Sequence, residues 1–419
     1  MQSKVKSMSL AVVSALAIGA AGITPSVGAE TVGPVTDDIG VVKINKGAPI
    51  VIGGYWTLSG PDVALGLDQK RGAEIAMDDW GNEVVGHPIK FVAEDSQCNA
   101  EGGQTAATKL ASDQNMVVVI GPDCSSAGTP GGPILWKAGI SSVATSTTAP
   151  SLTAADRPEG LHGYLRTIYN DLSAGAADAE YFYNVLECRT LATVHDGSPY
   201  AEQLVRVAEN TFKELGGEVV AQEAVTPTDV DMRPMLTSIA TSKPCALYFP
   251  IFVAAAAQIA RQESEISGLE DTNIVGGSAL MAPGFLEAAG DSAEGFVFTN
   301  PDASTDAYGN KYPEFLEKYK QKFGEAPIQA FHANAYDGAA VALMAIEKVA
   351  VNDDEGNTYI GRKALRDALF ATSGYDGIGG PINCNEHGDC AGFKFAVYQF
   401  TDSDVDSFEI GVNPKKIHP

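Results

Sequence analysis

Eight short apolar runs, in two sets of four separated by amphipathic stretches, set the strongest limit on how this chain folds. The first set is "APIVIGG" (48–54), "IKFVAED" (89–95), "MVVVIG" (116–121) and "ISSVATS" (140–146). Runs this short and this apolar read as strands buried on both faces. Between them lie helical patterns; in one, Ala107, Leu110 and Ala111 fall at i, i+3, i+4. The rhythm restarts at "RTLATVHD" (189–196), "EVVAQEAV" (218–225), "CALYFPIF" (245–252) and "NIVGGSAL" (273–280). Its first helix is well marked, with Ala201, Leu204, Val205, Ala208, Phe212 and Leu215 on one face. Strand and helix in alternation predict an α/β fold of two doubly wound parallel sheets covered by helices.

These blocks span about 48–168 and 169–298, and the pattern then changes. Residues 311–372 read as mostly helical, and "GGPINCNEHGDCAGFKFAVYQF" reads as a hairpin turning at "NEHGD". A late helical block followed by a hairpin predicts that the chain returns to the first lobe and then to the second. The expected division is 48–168 plus about 299–376 for one lobe and 169–298 plus about 377–419 for the other.

Residues 1–29 belong to targeting. Lys4 and Lys6 precede the apolar "MSLAVVSALAIGAAGI", and Val27 to Ala29 form a small-residue cleavage site. No later run reaches the ~18 apolar residues that span a bilayer. We therefore expect an exported, periplasmic protein. With 28 basic and 53 acidic residues, its surface disfavours nucleic acid and anionic membranes.

Six cysteines in an exported chain predict three disulfides. Cys384 and Cys390 flank the expected hairpin turn. Cys188 and Cys245 each open a strand of the second block. Cys98 and Cys124 both follow strand ends of the first block, at the carboxyl edge where open α/β sheets keep their ligands.

Enzymatic chemistry finds no foothold. There is no G-x-S-x-G elbow and no H-E-x-x-H, and the six histidines are scattered. His195 with Asp196 reads as a structural pair at a strand end. The acidic runs "NDDEGN" (352–357) and "DSDVDS" (402–407) lack the spacing of a calcium loop. Neither a metal nor a cofactor is expected.

What remains is a binding edge. In "GPDCSSAG" (121–128) a strand ends and a helix begins, exposing free N–H groups and the positive end of the helix dipole. Ser125 or Ser126 either caps that helix or donates to a ligand carboxylate, and the local sequence does not choose. The hydroxyls of "ATSTTAP" (144–150), including Ser146, line the same edge. In the second block "HDGSPY" (195–200) ends a strand, with Ser198 and Pro199 placed to start a helix and Tyr200 in its first turn.

"LSGPDVALG" (58–66), "GPDCSS" (121–126), "ATSTTAPSLT" (144–153), "LRTIYND" (165–171), "HDGSPYAEQL" (195–204) and "YDG" (336–338) occur in series. Together they resemble the leucine-isoleucine-valine-binding family of periplasmic receptors, over roughly residues 48 to 401. The resemblance implies two lobes joined by three crossovers, closing on a ligand, with no enzymatic activity. It implies two partners, a small-molecule ligand and an ABC permease in the inner membrane, for a protein expected to be a monomer. It assigns Ser125 to the ligand carboxylate, Thr147 and Thr148 to the carboxylate and ammonium, Tyr200 to the cleft and Leu65 to the side-chain pocket, and it supports the Cys98–Cys124 bridge.

The departures from the family pattern concern the ligand's other end. Ser278 stands where the amino-acid binders carry an ammonium-holding glutamate, Phe252 where a tyrosine is expected, and Ala174 near the place of a glutamine. Trp56, Tyr55 and Phe252 would suit an aromatic or aliphatic acid. The expected function is an exported solute-binding protein of an ABC importer that captures an amino acid or related organic acid. The alternative is a ligand sensor on the same fold that signals to a membrane receptor or regulator.

Overall fold

The computed structural model describes residues 29–419. The targeting segment expected at 1–29 therefore lies almost wholly outside the described residues. The first set of apolar runs forms a six-stranded sheet. Its order is Glu83–Val84, His87–Asp95, Ile50–Trp56, Met116–Ile120, Ser142–Ala144 and Tyr164–Arg166, with every pairing parallel except that of Glu83–Val84. Val117, Val118, Val119 and Ile120 are buried on both faces, which is why this strand reads as an unbroken apolar run. Helices α1 (Val63–Asp79), α2 (Ala100–Ser112) and α3 (Ser125–Lys137) follow the first, second and third long strands.

The second set forms a seven-stranded sheet in the order Glu218–Ala224, Thr190–His195, Ala246–Phe249, Asn273–Gly276, Val297–Pro301, Phe395–Gln399 and Lys415–His418. The first five run parallel, Phe395–Gln399 runs antiparallel to them, and Lys415–His418 pairs antiparallel with Phe395–Gln399 and so runs with the first five again. Helices α4 (Asp171–Glu180), α5 (Pro199–Glu214), α6 (Arg233–Ala240), α7 (Val253–Gln262) and α8 (Pro283–Ala289) belong to this lobe. Asn170 caps α4 and Ser198 caps α5, each side chain accepting a backbone N–H of the first turn.

The chain passes between the lobes three times. It leaves the first sheet after Arg166 and returns after Pro301, through α9 (Tyr312–Phe323) and α10 (His332–Val349), which pack on α1, followed by α11 (Arg362–Phe370). At Gly72 a Cβ would strike the carbonyl of His332, so only glycine lets α1 and α10 come this close. Buried Asp68 binds the same junction, accepting from the N–H groups of Ile328 (3.2 Å) and His332 (3.0 Å) and from the Tyr319 hydroxyl (3.1 Å). The "YDG" aspartate, Asp337, accepts the N–H groups of Ile378 and Gly379, both at 2.8 Å, and so ties residues 378–379 to the first lobe.

Two local expectations change. The tail is not one hairpin: Gly380–Ile382 pairs with Tyr375–Gly377, whereas Phe395–Gln399 joins Val297–Pro301 in the other sheet. The final return to the second sheet therefore falls at 391–395 rather than near 377. The "NEHGD" turn is present, closed by Cys384–Cys390, and it docks on the first sheet's last strand. There Arg166 N–H donates to Gly388 O (2.8 Å) and Cys390 N–H to Arg166 O (3.1 Å). The other bridges are Cys98–Cys124 and Cys188–Cys245, with Cα atoms 5.2 and 5.4 Å apart.

Candidate functional site

The carboxyl ends of both sheets face one another across a narrow cleft, with a cavity of about 20 Å³. The first lobe contributes Leu65 from α1, Asp123, Cys124 and Ser125 at the head of α3, and Ser146 and Thr148 from the loop after Ser142–Ala144. The second contributes Tyr200 from α5, Phe252 ahead of α7, and Ser278 with Ala279 after Asn273–Gly276. Phe331, ahead of α10, completes the wall.

Asp123 organises the first wall. Its buried carboxylate accepts from Thr57 N–H (2.7 Å), Ser96 Oγ–H (3.2 Å) and Cys124 N–H (2.9 Å), gathering the ends of three strands. Burial raises its pKa against those donors. Gly121, at φ +101°, makes the turn from strand to this loop. Ser146 donates to Asp123 O (2.7 Å) and accepts from Gln69 Nε2 (2.9 Å). Ser125 is buried at the first position of α3, and its Oγ receives Ala149 N–H at 3.3 Å. The Thr148 hydroxyl is buried with no hydrogen-bond partner in the protein.

On the facing wall the Tyr200 hydroxyl lies 3.3 Å from Ser278 Oγ, and its ring packs 5.7 Å from that of Phe252. The two lobes also touch at the rims of the cleft. Asp62 Oδ1 accepts Val253 N–H at 3.2 Å, and Ser151 and Gln203 exchange two hydrogen bonds of 2.9 Å.

Four residues expected near the ligand point elsewhere. Ser126 Oγ donates to Cys98 O at 2.6 Å and so secures the disulfide loop. The Thr147 hydroxyl pairs with that of Tyr164 at 2.5 Å, inside the first lobe. Trp56 is fully buried, its Nε1–H donating to Thr145 Oγ1 (3.2 Å) and its ring packed on Phe91. Tyr55 is likewise in the core. His195 and Asp196 do not pair with each other; each accepts a backbone N–H of the following turn, from Gly197 and Ser198. Among the described residues no group of three or more His, Cys, Asp or Glu is placed to hold a metal ion.

Asp171, the last residue of "LRTIYND", lies behind the cleft wall, its N–H donating to Thr148 O at 3.0 Å. It is the first residue of α4, wholly buried, and neither carboxylate oxygen has a hydrogen-bond partner. Burial pushes its pKa up to about 7, against the pull of the adjacent Thr148 hydroxyl and the Arg166 charge. Behind Tyr200 and Ser278 a smaller hollow of about 10 Å³ is lined by Tyr169, Asp178, Tyr248 and Asn300. Asp178, pushed up to about 7 by burial, accepts from Tyr248 at 2.5 Å, and Asn300 Oδ1 has no partner.

Two α/β lobes with a cleft between them can bind a small molecule, and comparison with known proteins fits this. A family profile described as periplasmic binding protein matches residues 49–404. The chain belongs to the periplasmic binding protein family. Members of this family are substrate-binding proteins and not enzymes. The chain is similar to the Leu/Ile/Val-binding protein BraC3 of Rhizobium johnstonii, at 27% identity over 84% of this chain and 92% of that protein. It is also similar to a leucine-binding protein from Thermotoga maritima, with a TM-score of 0.75 and 25% identity over 85% of this chain and 96% of the other. A solute-binding protein of an ABC transporter from R. palustris, solved with benzoate, shares the fold at a TM-score of 0.71 and 19% identity, over 88% of this chain and 96% of that one. No described helix of this periplasmic binding protein is long and apolar enough to cross a membrane.

Proposed function

We propose that this protein is the exported substrate-binding component of an ABC importer and captures a small carboxylate-bearing solute by closing its lobes. The observation that carries the reading is the pair Ser125 and Thr148. Both hydroxyls are buried in the cleft wall beside the amino end of α3, and that of Thr148 has no partner in the protein. Free N–H groups, a helix dipole and two hydroxyls together form a receptor for a carboxylate. A buried hydroxyl without a partner costs free energy, which a ligand oxygen would recover.

The Leu/Ile/Val-binding names of the relatives support an amino acid or a related organic acid as cargo. Phe252, Leu65 and Phe331 offer its side chain an apolar surface. Closure follows from the ligand touching both lobes, because it then binds the closed form better than the open one. In this reading the leader at 1–29 directs the chain to the periplasm, where it delivers its cargo to a permease. The surplus of acidic residues argues against nucleic acid as a partner. The test is a thermal-shift screen of amino acids and organic acids alongside their methyl esters. Free acids should stabilise the protein and their esters should not; equal stabilisation by both would overturn the carboxylate reading.

A further inference from the structure

We infer that a cavity at the hinge is a second small-molecule site, built for a neutral single-ring aromatic with one hydrogen-bond donor, such as a phenol. Its occupation favours the shut form. The site is separate from the cleft between the lobes and does not depend on what the cleft binds.

Each passage between the lobes is pinned near the head of α10. Thr167 Oγ1–H donates to Asn334 O (2.7 Å), and Asn334 Nδ2–H donates back to Thr167 O (2.9 Å). In the second passage the Tyr308 hydroxyl donates to Ala330 O at 3.1 Å. The run that leads to the third is held by Asp337, through the N–H groups of Ile378 and Gly379. Beside these pins lies a cavity of about 180 Å³. Ile168 and Tyr169 of the first passage, Asp302 and Tyr308 of the second, and Ala391 and Phe393 of the third all border it. It shares no wall residue with the cleft. Tyr169 and Phe393, whose rings lie 4.5 Å apart, stand between it and the hollow behind Tyr200.

The walls specify a guest. An apolar cavity of about 150 Å³ holds benzene, so this one has room for a single ring. Tyr169, Tyr308 and Phe393 offer it aromatic contacts. The two charges in the wall oppose each other: Asp302 and Lys394 are joined through Asp302 N–H donating to Lys394 O at 2.8 Å. A guest of either sign would meet one attraction and one repulsion, and would lose its water. Asn334 also borders the cavity. Its Nδ2 is committed to Thr167 O, and its Oδ1 takes no hydrogen bond from the described residues, which leaves an acceptor for a guest's O–H.

The cavity is formed while the lobes touch at the rims of the cleft. Opening swings the second-lobe ends of the three passages away from their pins on α10 and so reshapes the cavity. A guest that fits the present shape binds the shut form better and shifts the lobes toward it. By linkage, this guest and a cleft ligand strengthen each other.

The test sets para-fluorophenol against its isostere para-fluorotoluene, with binding to the mature chain followed by fluorine NMR. The phenol should bind about fivefold more tightly, the worth of one neutral hydrogen bond. Gly392 borders the cavity, and a Cβ there meets nothing within 4 Å, so Gly392→Phe adds a ring to the wall without a backbone clash. This variant should abolish binding of the phenol, whereas any binding of para-fluorobenzoate should survive, because it belongs to the cleft. Crystals soaked in para-bromophenol should place the bromine among Tyr169, Tyr308 and Phe393. Small-angle scattering of the wild type, otherwise free of ligand, should give a smaller radius of gyration with para-fluorophenol, and Gly392→Phe should not respond. Equal affinity for phenol and toluene, phenol binding untouched by the variant, loss of benzoate binding in the variant, bromine in the cleft, or an unchanged wild-type radius would each overturn the inference. The carboxylate reading of the cleft would stand in every one of those cases.

Discussion

Asp62, at the head of α1 in the first lobe, accepts a hydrogen bond from the N–H of Val253, the first residue of α7 in the second lobe, at 3.2 Å. A carboxylate in one lobe thus sits on the positive end of a helix in the other. Parting of the lobes would break this contact and return Asp62 to water. Burial, with Asp196 and Asp123 nearby, pushes its pKa up to about 6, against the pull of the Val253 N–H.

Closure of the empty protein should therefore depend on pH. The raised pKa belongs to the shut form, which holds the proton more tightly than a form with Asp62 in water. Protonation favours shutting, and the effect grows as pH falls from 8 through about 6. Small-angle scattering of ligand-free protein should show a smaller radius of gyration at pH 5 than at pH 8. Asp62→Asn keeps an acceptor and removes the charge, so it should be compact at both. A radius that does not change with pH in the wild type would refute this role.

Ser125→Ala and Thr148→Val should each weaken a carboxylate ligand by about 1.5–3 kcal/mol, the range for a hydrogen bond to a charged group. Ser126→Ala should change affinity little, since its hydroxyl is committed to Cys98 O. Titration calorimetry that found Ser126 mattering more than Ser125 would reverse the assignment.

Overall stability should rise as pH falls from 8 to 5. Asp171, Asp178 and Asp337 are all pushed up to about 7 by burial, above the value of an unfolded aspartate. Between those two values the native state binds more protons than the unfolded one, so acidification stabilises it. Carboxylates held low, such as Asp389 and Asp353, reverse the trend only below that window. The melting temperature, followed by scanning calorimetry, should be higher at pH 5 than at pH 8, with a shallower slope in Asp178→Asn. A melting temperature that climbs toward pH 8 would contradict this.

Asp389→Ala should cost about 3 kcal/mol or more, because it strips the ionic partner from a fully buried arginine. Arg166 also holds the carbonyls of Thr147 and Ala149, so ligand affinity should fall along with the denaturant midpoint. A full loss of affinity with no loss of stability would show that Asp389 acts on the ligand directly.

The sheets were legible because a strand buried on both faces must be apolar throughout, as Met116–Ile120 is. The cleft was legible in outline, since the ends of parallel strands and the starts of helices are punctuated by Gly, Ser and Thr. Orientation was not. Ser125 and Ser126 are adjacent in one helical turn, so their side chains diverge, and nothing local says which faces the ligand. Thr147 and Thr148 divide in the same way. Asp171 closes the "LRTIYND" motif, but an aspartate after the cap Asn170 has the ordinary look of a first-turn acid complementing the dipole. The tail was misread because Phe395–Gln399 pairs with Val297–Pro301, far away in the chain, and alternation of residues carries no sign of its partner.

The disulfide-closed turn at 384–390 has a consequence beyond holding Arg166. By bonding to both the N–H and the carbonyl of that residue, it occupies the outer margin of the first sheet. An open margin of that kind is a template on which a neighbouring chain would add its own strand, which is how β-proteins begin to aggregate. This molecule fills the margin with its own backbone and fastens the filler with a covalent staple, so reducing that single bridge should leave the chain more prone to clumping.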